Sequence, residues 1–176
     1  MRGDFTFIAC DFSLHCSGIA IMRYSAAERK AYVVRKFHIA VGKSVSLGHA
    51  LALIFDELVT LFTTCDFRFF VREKVVISHF YDGDRLARVS GVADVALWKT
   101  LKETFIDYAP STIKKTVTGY GAATKVVVDR NLTRFVGEMT YETNDESDAV
   151  ACGITFLLKE GYIDDPNTVC DGQQHD

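Results

Sequence analysis

The chain has 176 residues, 48% hydrophobic and 24% charged, with two prolines and a formal net charge of −3. That length and apolar fraction imply one domain with a sizeable core, and exclude a disordered or low-complexity protein. Apolar runs read as too short to span a bilayer and no secretory leader opens the chain, so the expectation is a soluble, cytoplasmic protein with no membrane partner.

Residues 5–11 read as a buried strand ending on Asp11, and Ser13 to Gly18 as a turn. Residues 18–24 and 31–39 predict two more strands joined by a hairpin loop at AAERK, giving an antiparallel three-strand start. Leu47, Leu51, Ile54, Leu58 and Leu61 recur at helical spacing and predict a helix over 46–63. FRFFVREKVVI, residues 67–77, reads as a central strand carrying Glu73. A long helix is predicted over 84–106, a short strand at IDYA, a helix opening at Pro110, and another over 122–135 beyond Gly119 and Gly121. A last helix runs from about Asp145 to Lys159, with Asn144 or Asp145 as its N-cap and Gly161 as its stop. Strands followed by alternating helices and strands imply an α/β domain over 1–163 with a sheet of mixed direction. Residues 164–176 carry four aspartates and no Lys or Arg, which reads as an acidic, mobile tail.

Cys10, Cys16, Cys65, Cys152 and Cys170 form no C-x-x-C pair and are odd in number, which fits neither a zinc site nor a disulfide framework. Most read as small core residues in a reducing compartment. Charge is unevenly spread. Residues 111–134 hold Lys114, Lys115, Lys125, Arg130 and Arg134 against Asp129, five cations to one anion, so a local basic face is compatible with the negative total.

The acids raise a specific question. Asp11 ends an apolar strand and Glu73 interrupts one, and burying either costs several kcal/mol without a partner. Turn formation is the ordinary role for Asp11. Arg72 and Lys74 point to the opposite face from Glu73 and do not neutralise it. Asp145 and Asp148, three apart, share one helix face, where capping is the ordinary role. If the four converge, their repulsion calls for divalent cations, and all-oxygen ligands favour magnesium or manganese. Two such ions about 3.5–4 Å apart can serve phosphodiester hydrolysis, with Lys125 stabilising charge on the phosphate. His15 and His79 read as surface residues, and His38 and His49 carry no signal.

The order of these motifs resembles the RuvC-like Holliday junction resolvases of the RNase H-like superfamily. IACDFSLHCSG is similar to the family's first acidic strand and turn, and FVREKV to the strand with the second acid. DYAPSTIKKTVTGYGAATKVVV resembles the Y-A-P-x-x-V-K-x-x-V-x-G-x-G-x-A-x-K stretch and is the most specific of the four, and NDESDAVACGI resembles the terminal D-x-x-D-A-x-A helix. The likeness covers about residues 5–158. It implies an RNase H-like fold and a metal-dependent endonuclease that nicks opposing strands of four-way DNA junctions symmetrically, leaving a 5′-phosphate and a 3′-hydroxyl. By position, Asp11, Glu73, Asp145 and Asp148 would hold two magnesium ions, with manganese as a substitute. Lys125 would act near the phosphate, with Lys114, Lys115 and Arg130 along the DNA backbone.

Phe12 and Ser13 replace the family's Pro-Gly, Lys74 stands where Gln is common, and the segment after Glu73 is short. Phe80 or Tyr81 would then supply the aromatic that stacks on an unpaired junction base, with core or dimer packing as the even alternative. These departures suit a bacteriophage-encoded member. The broad apolar surface of the 84–106 helix implies a homodimer through it, matching a two-fold junction. A broader branched-DNA or flap endonuclease, and a non-catalytic DNA-structure-binding protein, remain the alternatives.

Overall fold

The computed structural model describes residues 3–76 and 80–166, without the side chains of 80–82. Strands β1 (Phe5–Asp11), β2 (Cys16–Ser25) and β3 (Lys30–Ala40) form an antiparallel meander. Helix α1 (Leu47–Thr64) leads to β4 (Phe70–Glu73), α2 (Phe80–Leu101) to β5 (Ile106–Tyr108), and α3 (Pro110–Thr118), α4 (Lys125–Val136) and α5 (Asn144–Lys159) close the chain. The sheet order is β3-β2-β1-β4-β5, with β4 parallel to both β1 and β5. This is the expected mixed α/β sheet with helices on both faces.

Side-chain alternation divides the core in two. Phe5, Phe7 and Ala9 of β1 pack with α3, α4 and α5, whereas Ile8 and Cys10 pack with α1 and α2. The same alternation puts Val71 on the α5 side and Phe70 on the other. Arg72 follows Phe70: its guanidinium bonds Asp107, Asp94 and the Ser90 carbonyl. Glu73 is therefore left on the α5 face, unneutralised by its neighbour. Cys10 and Cys152 are fully buried packing residues, as expected.

Helix α5 is apolar around most of its circumference and is buried from Ala149 to Leu157. It lies close to the sheet because Gly153 has no side chain to meet Met22, Ala9 and Phe7. Its far end is held by a ring cluster of Phe5, Phe7, Phe69, Phe156 and Tyr162.

Several boundaries differ from the sequence reading. The central strand spans only Phe70–Glu73 rather than 67–77, and Val76 is exposed, so the apolar run outlasts the sheet. Helix α2 runs Phe80–Leu101 instead of 84–106, because Lys102 takes a left-handed φ of 61° and the chain turns into β5. Helix α4 begins at Lys125, not 122, behind Thr124. The N-cap of α5 is Thr143, which accepts from the Glu146 N–H, and not Asn144 or Asp145. Contrary to the hydropathy reading, α1 is long and apolar enough to cross a membrane by length and composition. In the fold its stripe of Ala50, Ile54, Leu58 and Phe62 is buried in the core beside α2. Asp164 pairs with Arg29, and Asp165 with Arg134. Residues 167–176 of the expected tail, with Cys170, lie outside the described residues, as does His79.

Candidate active site

Asp11 is the last residue of β1 and continues the Phe7–Ala9 face, so its carboxylate emerges under the start of α5. Glu73 ends the adjacent parallel strand β4. Asp145 lies in the first turn of α5, with Asp148 one turn on along the same face. Ligand oxygens of Asp11, Asp145 and Asp148 all lie within 4.8 Å of one another. Glu73 stands outside that triad but within its field: its carboxyl is pushed up to about 7, first by burial and then by the Asp148 charge. Burial, then Glu73, Asp148 and Asp145 in turn, push Asp11 up to about 8. Lys125 and Lys114 moderate this repulsion without cancelling it.

Lys125, the first residue of α4, donates from Nζ to Asp148 Oδ2 at 2.6 Å. Desolvation opposes its charge, but that pairing raises its pKa overall. Lys114 lies on α3, near enough to act on Glu73. Lys115 and Arg130 are exposed and line shallow grooves, Lys115 with Ser111 and Gly121, Arg130 with Val126 and Asn131. Phe80 and Tyr81 open α2, and their side chains lie outside the description. The structure thus gathers Asp11, Asp145, Asp148, Glu73, Lys125 and Lys114 into one locality.

Two features escaped the sequence reading. His38, which gave no signal, sits with its Nδ1 3.1 Å from Glu146 Oε1, while Lys36 Nζ lies 2.8 Å from Oε2. Glu146 is buried and turned away from Asp145 and Asp148. Both facts have period signatures: Lys36 and His38 are two apart on a strand, and Glu146 falls off the helix face shared by residues 145 and 148. The other is Gly18, which pairs with Asp11 across β1–β2 and lies against the Asp145 backbone.

A set of carboxylate oxygens in which burial, and then mutual repulsion, hold two acids well above their ordinary range suits a hard divalent cation rather than zinc. Together with the sheet order, this defines an RNase H-like nuclease fold bearing a candidate divalent-metal centre. Residues 8–156 match the family described as crossover junction endodeoxyribonuclease RuvC, and the chain belongs to that family.

Among solved structures, the chain is similar to Thermus thermophilus RuvC in complex with a Holliday junction substrate, with a TM-score of 0.78 at 15% identity, over 90% of this chain and 97% of that one. A further T. thermophilus RuvC structure gives a TM-score of 0.76 at 15% identity, over 89% and 97%. The Fowlpox virus resolvase with substrate Holliday junction DNA gives 0.50 at 10% identity, over 88% and 98%. At these identities the likeness is one of fold. No curated protein matches the sequence.

Proposed function

We propose that the protein is a magnesium-dependent endonuclease that resolves four-way DNA junctions by symmetric paired nicks, leaving 5′-phosphate and 3′-hydroxyl ends. The observation that carries this reading is the convergence of Asp11, Asp145 and Asp148, with Glu73 beside them, in a chain of the RuvC family. Asp11, Glu73, Asp145 and Asp148 would hold two divalent ions, with manganese able to replace magnesium. Such ions supply Lewis acidity that activates water and offsets charge on the leaving oxygen. Lys125, an ammonium fixed beside Asp148, offers its charge to a phosphate oxygen. Lys114, Lys115 and Arg130 present cations on the surrounding α3 and α4 surface, where a DNA backbone would run.

A homodimer through α2 would set two such sites about a two-fold axis, matching the symmetry of a junction. Val89, Ala93, Ala96 and Leu97 of α2 are buried within the chain, on the face turned to α1 and the sheet. A second apolar face supports the dimer: Val95 is 55% exposed, Trp98 55% and Leu101 38%.

A broader branched-DNA specificity is the second reading, favoured by the short chain between Glu73 and α2, which leaves little room for a junction-probing loop. The test is magnesium-dependent nicking of a synthetic four-way junction beside flaps and forks. Paired, symmetric nicks confined to the four-way junction support resolution, and equal cutting of flaps supports the broader reading. Asp148→Asn abolishes nicking while retaining binding. An unaffected nicking rate in that variant refutes the proposed site.

A further inference from the structure

Three residues lie side by side across the meander: Asp11 on β1 is paired with Gly18 on β2, and Gly18 with His38 on β3. The first turn of α5 rests on this row. The backbone of Asp145 sits on Gly18, Glu146 meets His38, and Asp148 stands by Asp11. The relative placement of Asp11, Asp145 and Asp148 therefore depends on how that turn is seated.

Glu146 seats it. Its side chain is 2% exposed, and both its oxygens are occupied. Oε1 faces His38 Nδ1, and Oε2 accepts from Lys36 Nζ at 2.8 Å and from the Glu142 N–H at 3.2 Å. The ammonium of Lys36 also lies 5.2 Å from the centre of the Tyr141 ring, within the segment leading into α5. A buried carboxylate joined to two strand residues and to the preceding loop fixes both the rotation and the height of the helix start. Partners on both oxygens set it apart from Asp148, whose Oδ2 accepts from Lys125. A cation bound to His38, Glu142 and Glu146 would compete with these existing contacts.

We propose that Glu146, with Lys36 and His38, is a positioning clamp that holds the α5 first turn on the sheet and so sets the Asp11–Asp145–Asp148 spacing for divalent-cation binding. The clamp rests on the metal-site reading above, and none of its three residues touches the cation or the DNA.

Calorimetric titration of the full chain with Mn2+, without DNA, tests it. Glu146→Gln and Lys36→Met each weaken Mn2+ affinity by about tenfold or more. Their nicking recovers when magnesium is raised, and junction binding in EDTA is unchanged. His38→Gln, which keeps a donor towards Oε1, retains wild-type affinity, and His38→Leu does not. Wild-type Mn2+ affinity in both Glu146→Gln and Lys36→Met overturns the clamp, even if both variants melt at lower temperature. Loss of one Mn2+ equivalent with the remainder unaffected also overturns it, because the cluster is then itself a ligand set. Failure of the unaltered protein to bind Mn2+ overturns the metal-site reading and the clamp together.

Discussion

Gly18 and Asp145 meet backbone to backbone where β2 passes beneath the first turn of α5, and a Cβ at position 18 would overlap the Asp145 carbonyl. Gly18→Ala should therefore lift the helix start, at a cost of about 1–3 kcal/mol in stability. Denaturant unfolding measures that loss, and Mn2+ titration should show weakened binding alongside it. Gly48→Ala, in open space at the start of α1, is the control and should leave both unchanged or slightly raise stability.

Lys125 and Lys115 should separate by kinetics. Lys125 is bonded to Asp148, whereas Lys115 is exposed on α3. Lys125→Met is expected to lower single-turnover nicking by about 10²–10³ at saturating magnesium, with a smaller effect on junction affinity. Lys115→Met should instead weaken binding and reduce the salt slope of affinity by about one, leaving turnover of bound junction intact.

Stability without metal should fall as pH rises. Asp11 is pushed up from 3.8 to about 8 and Glu73 from 4.5 to about 7, so between these limits the folded protein retains protons that the unfolded chain has released. Melting temperature in EDTA should thus decline from about pH 4 to pH 8, and Asp11→Asn should flatten the decline and exceed the parent at pH 8. Magnesium needs ionised carboxylates, so its stabilising shift should grow over the same range. Glu146 acts in the opposite sense at lower pH. Burial opposes its ionisation, but Lys36, His38 and the Glu142 N–H outweigh that and hold its carboxyl below 4.5. Its contribution is lost as pH falls through that depressed value.

The α2 face gives a prediction about assembly. Val95, Trp98 and Leu101 recur at three-residue spacing on the exposed side of the helix, and Lys102 lies 5.7 Å from the centre of the Trp98 ring. Light scattering at micromolar concentration should give twice the 19.6 kDa chain mass. Trp98→Glu should give a folded monomer whose melting temperature, unlike that of the parent, does not depend on protein concentration. A monomeric parent protein removes the dimer.

Much of this arrangement was legible in residue order. Period-two alternation along β1 carries Asp11 onto the face of Phe7 and Ala9, and the same rule separates Glu73 from Arg72. Three-residue spacing unites Asp145 and Asp148. Element ends were less legible because they depend on tertiary contacts. β4 stops at Glu73 although apolar residues continue, and α2 stops at a left-handed Lys102 that no propensity marks. The separate role of Glu146 is not legible in sequence, since nothing local to residues 144–148 shows that Lys36 and His38 lie opposite it. Gly18 likewise appeared as a turn residue, and its role as the seat of α5 is visible only when the two elements are packed.

Anomalous diffraction from crystals soaked in Mn2+ would locate the cation in the folded chain. Peaks bounded by Asp11, Asp145 and Asp148, with Glu73 at their edge, are the expected result, together with their loss in Asp11→Asn. Peaks only at His38, Glu142 and Glu146, or none beside Asp11, would contradict a catalytic metal centre at the strand ends.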